Sequence, residues 1–171
     1  MRKIWLVVLL LLVSNLTYSQ WVALDGDDYL VHRVWMYNDT VRVCETKVAK
    51  ELYDYYQQER DHCFYRYEME GKQIGDNRKS FVFSENGKPV IKDLARRLET
   101  IATSETDKVE AALSYVQSLP YSDDSTSKGK DEYVRYPIET LVDGCGDCED
   151  KSVLLAAILR EMNVNFVLLM A

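Results

Sequence analysis

The spacing of apolar and polar residues changes period several times along the chain, and each change marks an element. Residues 30–37 are rich in Val, Trp, Tyr and Met, and Asn38-Asp39 reads as a turn. Residues 40–43 then alternate polar and β-branched side chains, so 29–43 predicts a β-hairpin. From 47 to 60 the period lengthens, with Val48, Leu52, Tyr55 and Tyr56 recurring at helical spacing. Residues 64–69 alternate apolar and charged, and 81–83 make a second short extended run. Both are expected as strands, with a polar loop at 71–80 between them and a turn at Asn86-Gly87. Val90, Ile91, Leu94, Leu98 and Ile101 predict a helix from Lys88 onward. A further helix, capped by Ser104 or Thr106, carries Val109, Ala112, Leu113 and Val116 on one face and ends before Pro120. Residues 121–136 form a polar loop of the length that is often functional. Val153, Leu154, Ala157, Ile158 and Met162 make a last helical stripe closed by Asn163, and the apolar run 166–170 is expected as a buried strand.

The start of the chain changes this picture. Arg2 and Lys3 precede an unbroken apolar run at 4–13, and a polar stretch follows with the small residues Thr17 and Ser19. That order predicts a secretory signal peptide at residues 1–19, cut between Ser19 and Gln20. The apolar run is short for a membrane span, which takes about 20 residues. The mature protein is therefore expected to be exported, periplasmic or extracellular, with no membrane association beyond the signal peptide. The rest reads as an α+β region at 20–100 followed by a segment at 101–171, in one continuous domain. The hydrophobic fraction of 47% and the charged fraction of 29% are those of a globular protein. Removing 1–19 deletes Arg2 and Lys3 and no acid, which moves the formal charge from −7 to −9. Such a surface repels nucleic acid and anionic lipid, so neither is an expected partner. In an oxidising compartment Cys44 and Cys63 either pair as a disulfide or stay as small buried thiols.

Candidate chemistry concentrates at Gly144-Cys145-Gly146-Asp147-Cys148-Glu149-Asp150. The two glycines suit a tight turn and the close approach of a substrate backbone. Asp147 suits an N-cap, which sets Cys148 in the first turn of the following helix. There unpaired amide protons and the helix dipole favour the thiolate. The same amides can hold an oxyanion, so the arrangement suits acyl transfer through a thioester. Asp143, Asp147, Glu149 and Asp150 oppose a thiolate and must be taken up by caps and buried hydrogen bonds, or outweighed by an imidazolium. Cys145 and Cys148 also have the C-x-x-C spacing of thiol–disulfide exchange, with Cys145 as attacking thiol, although 120–144 does not read as part of a βαβ unit. Zinc takes about four ligands, and a lone C-x-x-C supplies too few, so no metal is expected.

The run from Tyr136 through Pro137, Ile138, Glu139, Thr140, Leu141, Val142 and Asp143 to Gly144-Cys145-Gly146-Asp147-Cys148-Glu149-Asp150-Lys151-Ser152 resembles the nucleophile segment of the transglutaminase-like superfamily, above all its prokaryotic branch. The resemblance extends to 115–121 and 131–136, and more weakly to Trp35-Met36-Tyr37 and to 52–56. It implies a papain-like α+β fold, with the nucleophile at the N-terminus of a helix packed on an antiparallel sheet. It implies Cys148 as nucleophile, a protein or peptide substrate, hydrolysis or transamidation, and no cofactor. It also implies a histidine and an Asp or Asn on the strands that follow. Cys145 stands where the family commonly has a small residue, and the chain reaches Ala171 before any such histidine, with only His32 and His62 upstream. A histidine is expected shortly after Ala171. The rival readings are a transglutaminase-like binding module without catalysis and a redox protein. Gly146, Asp147 and Asp150 are expected to support the site, Asp150 by holding the helix start. The loop 121–136 is expected to border the cleft, with Tyr133 and Tyr136 either presented to an acyl substrate or packing the loop down. Arg135 either pairs with a nearby acid or stays solvated.

Overall fold

The computed structural model describes the backbone of residues 19–69 and 78–167 and the side chains of 19–59 and 80–167. Residues 1–18, 70–77 and 168–171 and the side chains of 60–79 lie outside the described residues, and with them nearly all of the expected signal peptide at 1–19, most of the expected loop at 71–80, the side chains of His62 and Cys63, and most of the run 166–170.

Strands β1 (Ser19–Asp25), β2 (Asp28–Tyr37) and β3 (Thr40–Ala49) form an antiparallel sheet in chain order. The expected hairpin is β2–β3, with Tyr37 opposite Thr40 and Val34 opposite Val43. Asn38 and Asp39 both take positive φ, 49° and 54°, which is the turn whose twist matches the flanking strands. Val31, Trp35, Tyr37 and Val48 turn inward and are buried. On the other face Trp21 stacks on His32 at 4.6 Å, and His32 pairs with Glu45 at 3.2 Å.

Three expectations change here. Strand β3 runs on to Ala49, so Val48 is a buried strand residue and not part of a helix. Helix α1 (Lys50–Met69) then continues through 64–69, expected as a strand. A six-residue alternation is weak against a helix already formed, because propagation adds a hydrogen bond for each residue fixed. Helix α2 (Arg78–Val82) likewise takes Phe81 and Val82, both buried, out of the expected extended run.

Helix α3 (Lys88–Glu99) has proline in its first turn and buries Ile91, Leu94, Ala95 and Leu98. Helix α4 (Glu105–Gln117) is capped by Ser104, whose hydroxyl accepts from the Asp107 amide at 3.1 Å; Thr106 lies inside the helix. The loop 121–136 contains a short helix, α5 (Asp124–Lys128), capped by Asp123. Helix α6 (Pro137–Asp143) is almost wholly buried, and α7 (Cys148–Glu161) buries Val153, Leu154, Ala157 and Ile158. Asn163, at φ 56°, follows the end of α7. Of the run 166–170, expected as a buried strand, only Phe166 and Val167 are described; both are irregular, and Val167 is 82% exposed.

The architecture is α+β, with one buried cluster that runs from Val31 to Met162. Helices α3 and α4 touch both the sheet and α7, and α7 also packs on α2 and α6. Trp35 joins the layers: its ring meets Tyr115 edge-on at 5.2 Å, and its Nε1 donates to Ser114 Oγ at 3.2 Å. Among the described residues no helix is long and apolar enough to cross a membrane. Cys44 is a buried free thiol, and burial raises its pKa.

Candidate active site

The turn that presents Cys148 is built between two helix ends. Helix α6 stops at Gly144, which takes φ 69°. A Cβ there would lie 2.2 Å from Gln20 Nε2. That carboxamide donates to Leu141 O at 3.0 Å and accepts from Arg33 Nη1 at 3.0 Å. Gly146 is clamped by the chain after α4: its N–H donates to Pro120 O at 3.3 Å, and Ser122 N–H donates to Gly146 O at 3.2 Å. A Cβ on Gly146 would lie 2.8 Å from Asp150 Oδ2. Both glycines therefore make room for the protein's own side chains, Gln20 and Asp150.

Asp147 caps α7. Its Oδ1 accepts from the amides of Glu149 at 2.9 Å and Asp150 at 3.0 Å, and Asp150 Oδ2 accepts from the Asp147 amide at 3.3 Å. This reciprocal box holds the helix start. It also engages the amides of 149 and 150, which the sequence had offered to an oxyanion. The N–H of Cys148 itself donates to no group among the described residues. Its thiol is free and exposed on the first residue of α7.

Two of the crowded acids, Asp143 and Asp150, are taken up by hydrogen bonds and ion pairs. Asp143 accepts from Tyr53 Oη at 2.7 Å and Arg135 Nε at 2.9 Å, and pairs with Lys128 Nζ at 2.7 Å. Asp150 is fully buried and accepts from the Arg135 amide at 2.7 Å and from Arg135 Nη1. Burial pushes its carboxyl up to about 6, against the opposing pull of Arg135. Asp124 accepts from the Tyr133 amide at 2.6 Å and Arg135 Nη1 at 3.1 Å, and burial raises its carboxyl as well. Arg135 is itself fully buried, and its Nη2 also donates to Ser127 Oγ at 2.6 Å. Burial disfavours its charge, but Asp150 and Asp143 outweigh that and hold it protonated.

Tyr133 and Tyr136 are both buried. The Tyr133 ring lies 5.1 Å from Lys128 Nζ and 5.5 Å from Arg135 Cζ, and its hydroxyl donates to Glu139 Oε1 at 2.6 Å. Tyr136 stacks on Phe81 at 4.2 Å and packs on Tyr56 at 4.6 Å. Cys145 is half-buried with a free thiol. His32, stacked on Trp21 and paired with Glu45 on the sheet, is engaged away from the turn. Among the described residues no group of three or more His, Cys, Asp or Glu is placed to hold a metal ion.

Four residues at this turn were not found from sequence: Gln20, Arg33, Ser118 and Lys151. Arg33 is buried and bonds Ser118 through Nε to Oγ at 2.9 Å and through Nη2 to the backbone oxygen. Lys151 donates to Leu119 O at 2.6 Å, and burial, then Arg33, lowers its pKa. Together they pin the chain after α4 and the strand β1 behind the turn. No local pattern signals partners that lie 85 and 121 positions apart.

No curated protein and no solved structure matched the chain. Residues 92–166 match the family model described as the transglutaminase-like superfamily. That span runs from within α3 past the end of α7 and includes every residue from Gly144 to Asp150. The segment 92–166, with the turn that presents Cys148, thus belongs to the transglutaminase-like superfamily.

Proposed function

We propose that Cys148 is the nucleophile of a cysteine hydrolase or acyltransferase that attacks a carboxamide or peptide carbonyl. The observation that carries this reading is an exposed thiol on the first residue of α7, beside an amide N–H that the cap leaves over. The thiolate adds to the carbonyl carbon and the C=O electron pair moves to oxygen. That oxyanion accepts from the Cys148 N–H. Collapse expels ammonia or an amine, which takes up a proton, and leaves a thioester on Cys148. Water then completes hydrolysis, or a second amine completes transamidation. The thiol's proton goes to the histidine that the resemblance implies on the strands after α7. These steps call for no cofactor or metal. The substrate class is a protein or peptide, met outside the cytoplasm after removal of residues 1–19.

The backbone favours this chemistry over thiol–disulfide exchange. Gly146 is bridged to Tyr121, and Asp147 is extended at ψ −167°. An extended backbone between the two cysteines draws their Cα atoms apart, whereas a disulfide takes Cα atoms within about 7 Å. A binding module without catalysis is the second reading, favoured by the engagement of His32 with Trp21 and Glu45. Mass spectrometry after incubation with a glutamine-containing peptide or an activated ester separates the readings. A covalent adduct on Cys148, absent in Cys148→Ser and kept in Cys145→Ala, supports the enzyme; no adduct in the parent chain sinks it. A native protein whose mass does not begin at Gln20 removes the proposed processing site.

A further inference from the structure

We propose that Arg135 is a positioning residue for Cys148, and that docking of the segment 121–136 controls the reactivity of that thiol. The inference rests on the nucleophile reading above.

The charges around the turn divide by origin. The end of α6 and the start of α7 supply the acids Asp143, Asp147, Glu149 and Asp150. The one base in the first turns of α7, Lys151, is bonded to Leu119 O. The cations that meet Asp143 and Asp150 both come from the segment 121–136: Arg135 bonds both carboxylates, and Lys128 pairs with Asp143. One guanidinium therefore ties α5, through Asp124 and Ser127, to the end of α6 and the start of α7. The Tyr133 ring lies against both cations. The same segment reaches the turn directly through the bond from Ser122 N–H to Gly146 O.

Two consequences follow for the thiol. With the segment docked, Asp143 and Asp150 are compensated, and the helix dipole acts on Cys148 without opposition from them. Asp150 also stays aimed at the Asp147 amide, which keeps the cap closed. With the segment lifted, both carboxylates lose their cations, and the first turn of α7 carries net negative charge that disfavours a thiolate. A peptide that binds along 121–136 thereby acts on the nucleophile without touching it.

The test is the rate of iodoacetamide labelling of Cys148 at pH 7 in the full chain, with Cys145 as internal reference and thermal unfolding as the check on the fold. In the parent chain Cys148 labels faster than Cys145; if it does not, the nucleophile reading itself fails. Arg135→Gln is expected to slow Cys148 roughly threefold to tenfold and leave Cys145 unchanged. Arg135→Lys, which keeps the charge but not the fork, is expected to restore more than half of the loss. A purely structural arginine would not give that selectivity or that rescue. A folded Arg135→Gln protein with unchanged Cys148 labelling overturns the proposal while leaving the nucleophile reading intact. Should Arg135→Gln fail to unfold cooperatively, Lys128→Gln decides: slower Cys148 labelling supports the proposal and an unchanged rate overturns it.

Discussion

Gly144 is under two independent constraints. Its φ of 69° strains any residue with a Cβ, and the Gln20 carboxamide occupies the space that a Cβ would need. Gly129 has nearly the same backbone, φ 64°, with open space around it. Gly129→Ala is therefore expected to cost only the backbone term, about 1 kcal/mol. Gly144→Ala should cost roughly 2–3 kcal/mol, because Gln20 must also leave its bonds to Leu141 and Arg33. Urea midpoints of the two variants measure the difference; equal losses would show that Gln20 adjusts freely. Asp147 permits a similar comparison. Asp147→Ala removes the acceptor for two amides and should cost about 1 kcal/mol, whereas Asp147→Asn should be nearly neutral. The carboxylates at this turn were legible as residues in need of partners, and Asp147 was legible as a cap, because capping is decided within four residues. Which cation would meet them was not, since Arg135 had acids within reach on three different elements.

Elements were legible where the signal was local and long. The β2–β3 hairpin followed from Asn38-Asp39 and its flanking alternation, and α3 and α7 followed from apolar stripes over several turns. The failures were short runs. Residues 64–69 and 81–83 look like strands only in isolation, and both fall in or at the end of helices. Because the hairpin turn holds both central residues at positive φ, Asn38→Ala is expected to destabilise by about 1 kcal/mol, measured as a shift in thermal midpoint. Helix α5 gives a pH-dependent prediction. Asp123 accepts from Ser125 Oγ and the Thr126 amide, and these bonds lower its carboxyl from 3.8 to about 2. A lowered carboxyl adds stability above the unfolded value and loses it as pH falls through the folded value. The α5 cap should therefore hold above pH 4 and fail progressively toward pH 2. The Thr126 amide resonance reports this directly; a shift centred near pH 6 instead would assign the change to buried Asp150.

At the scale of the whole molecule, the sheet and the cysteine turn are one mechanical unit, and this was not legible at all. Composition and pattern placed the N-terminal strands in one domain with the cysteine-bearing segment without saying where they touch. The contact is Arg33, a buried guanidinium bonded to Ser118 and Gln20, with no carboxylate partner among the described residues. Removing its neighbour is therefore costly: Gln20→Ala should lose about 1–2 kcal/mol, because Arg33 Nη1 and Leu141 O are both left without a partner. Hydrogen exchange at Gly144 and Gly146 should rise in the same variant; exchange confined to β1 would mean that the strand and the turn are not coupled. The bond from Gln20 to Leu141 joins positions 121 apart, which has a consequence for how the protein is made. During synthesis the three-stranded sheet and α1 can form early from local contacts, but Gln20 cannot meet Leu141 until the chain has passed α6. Contacts of such long separation form late and slowly. The turn that presents Cys148 thus receives its brace from the sheet late, only after α6 has been made.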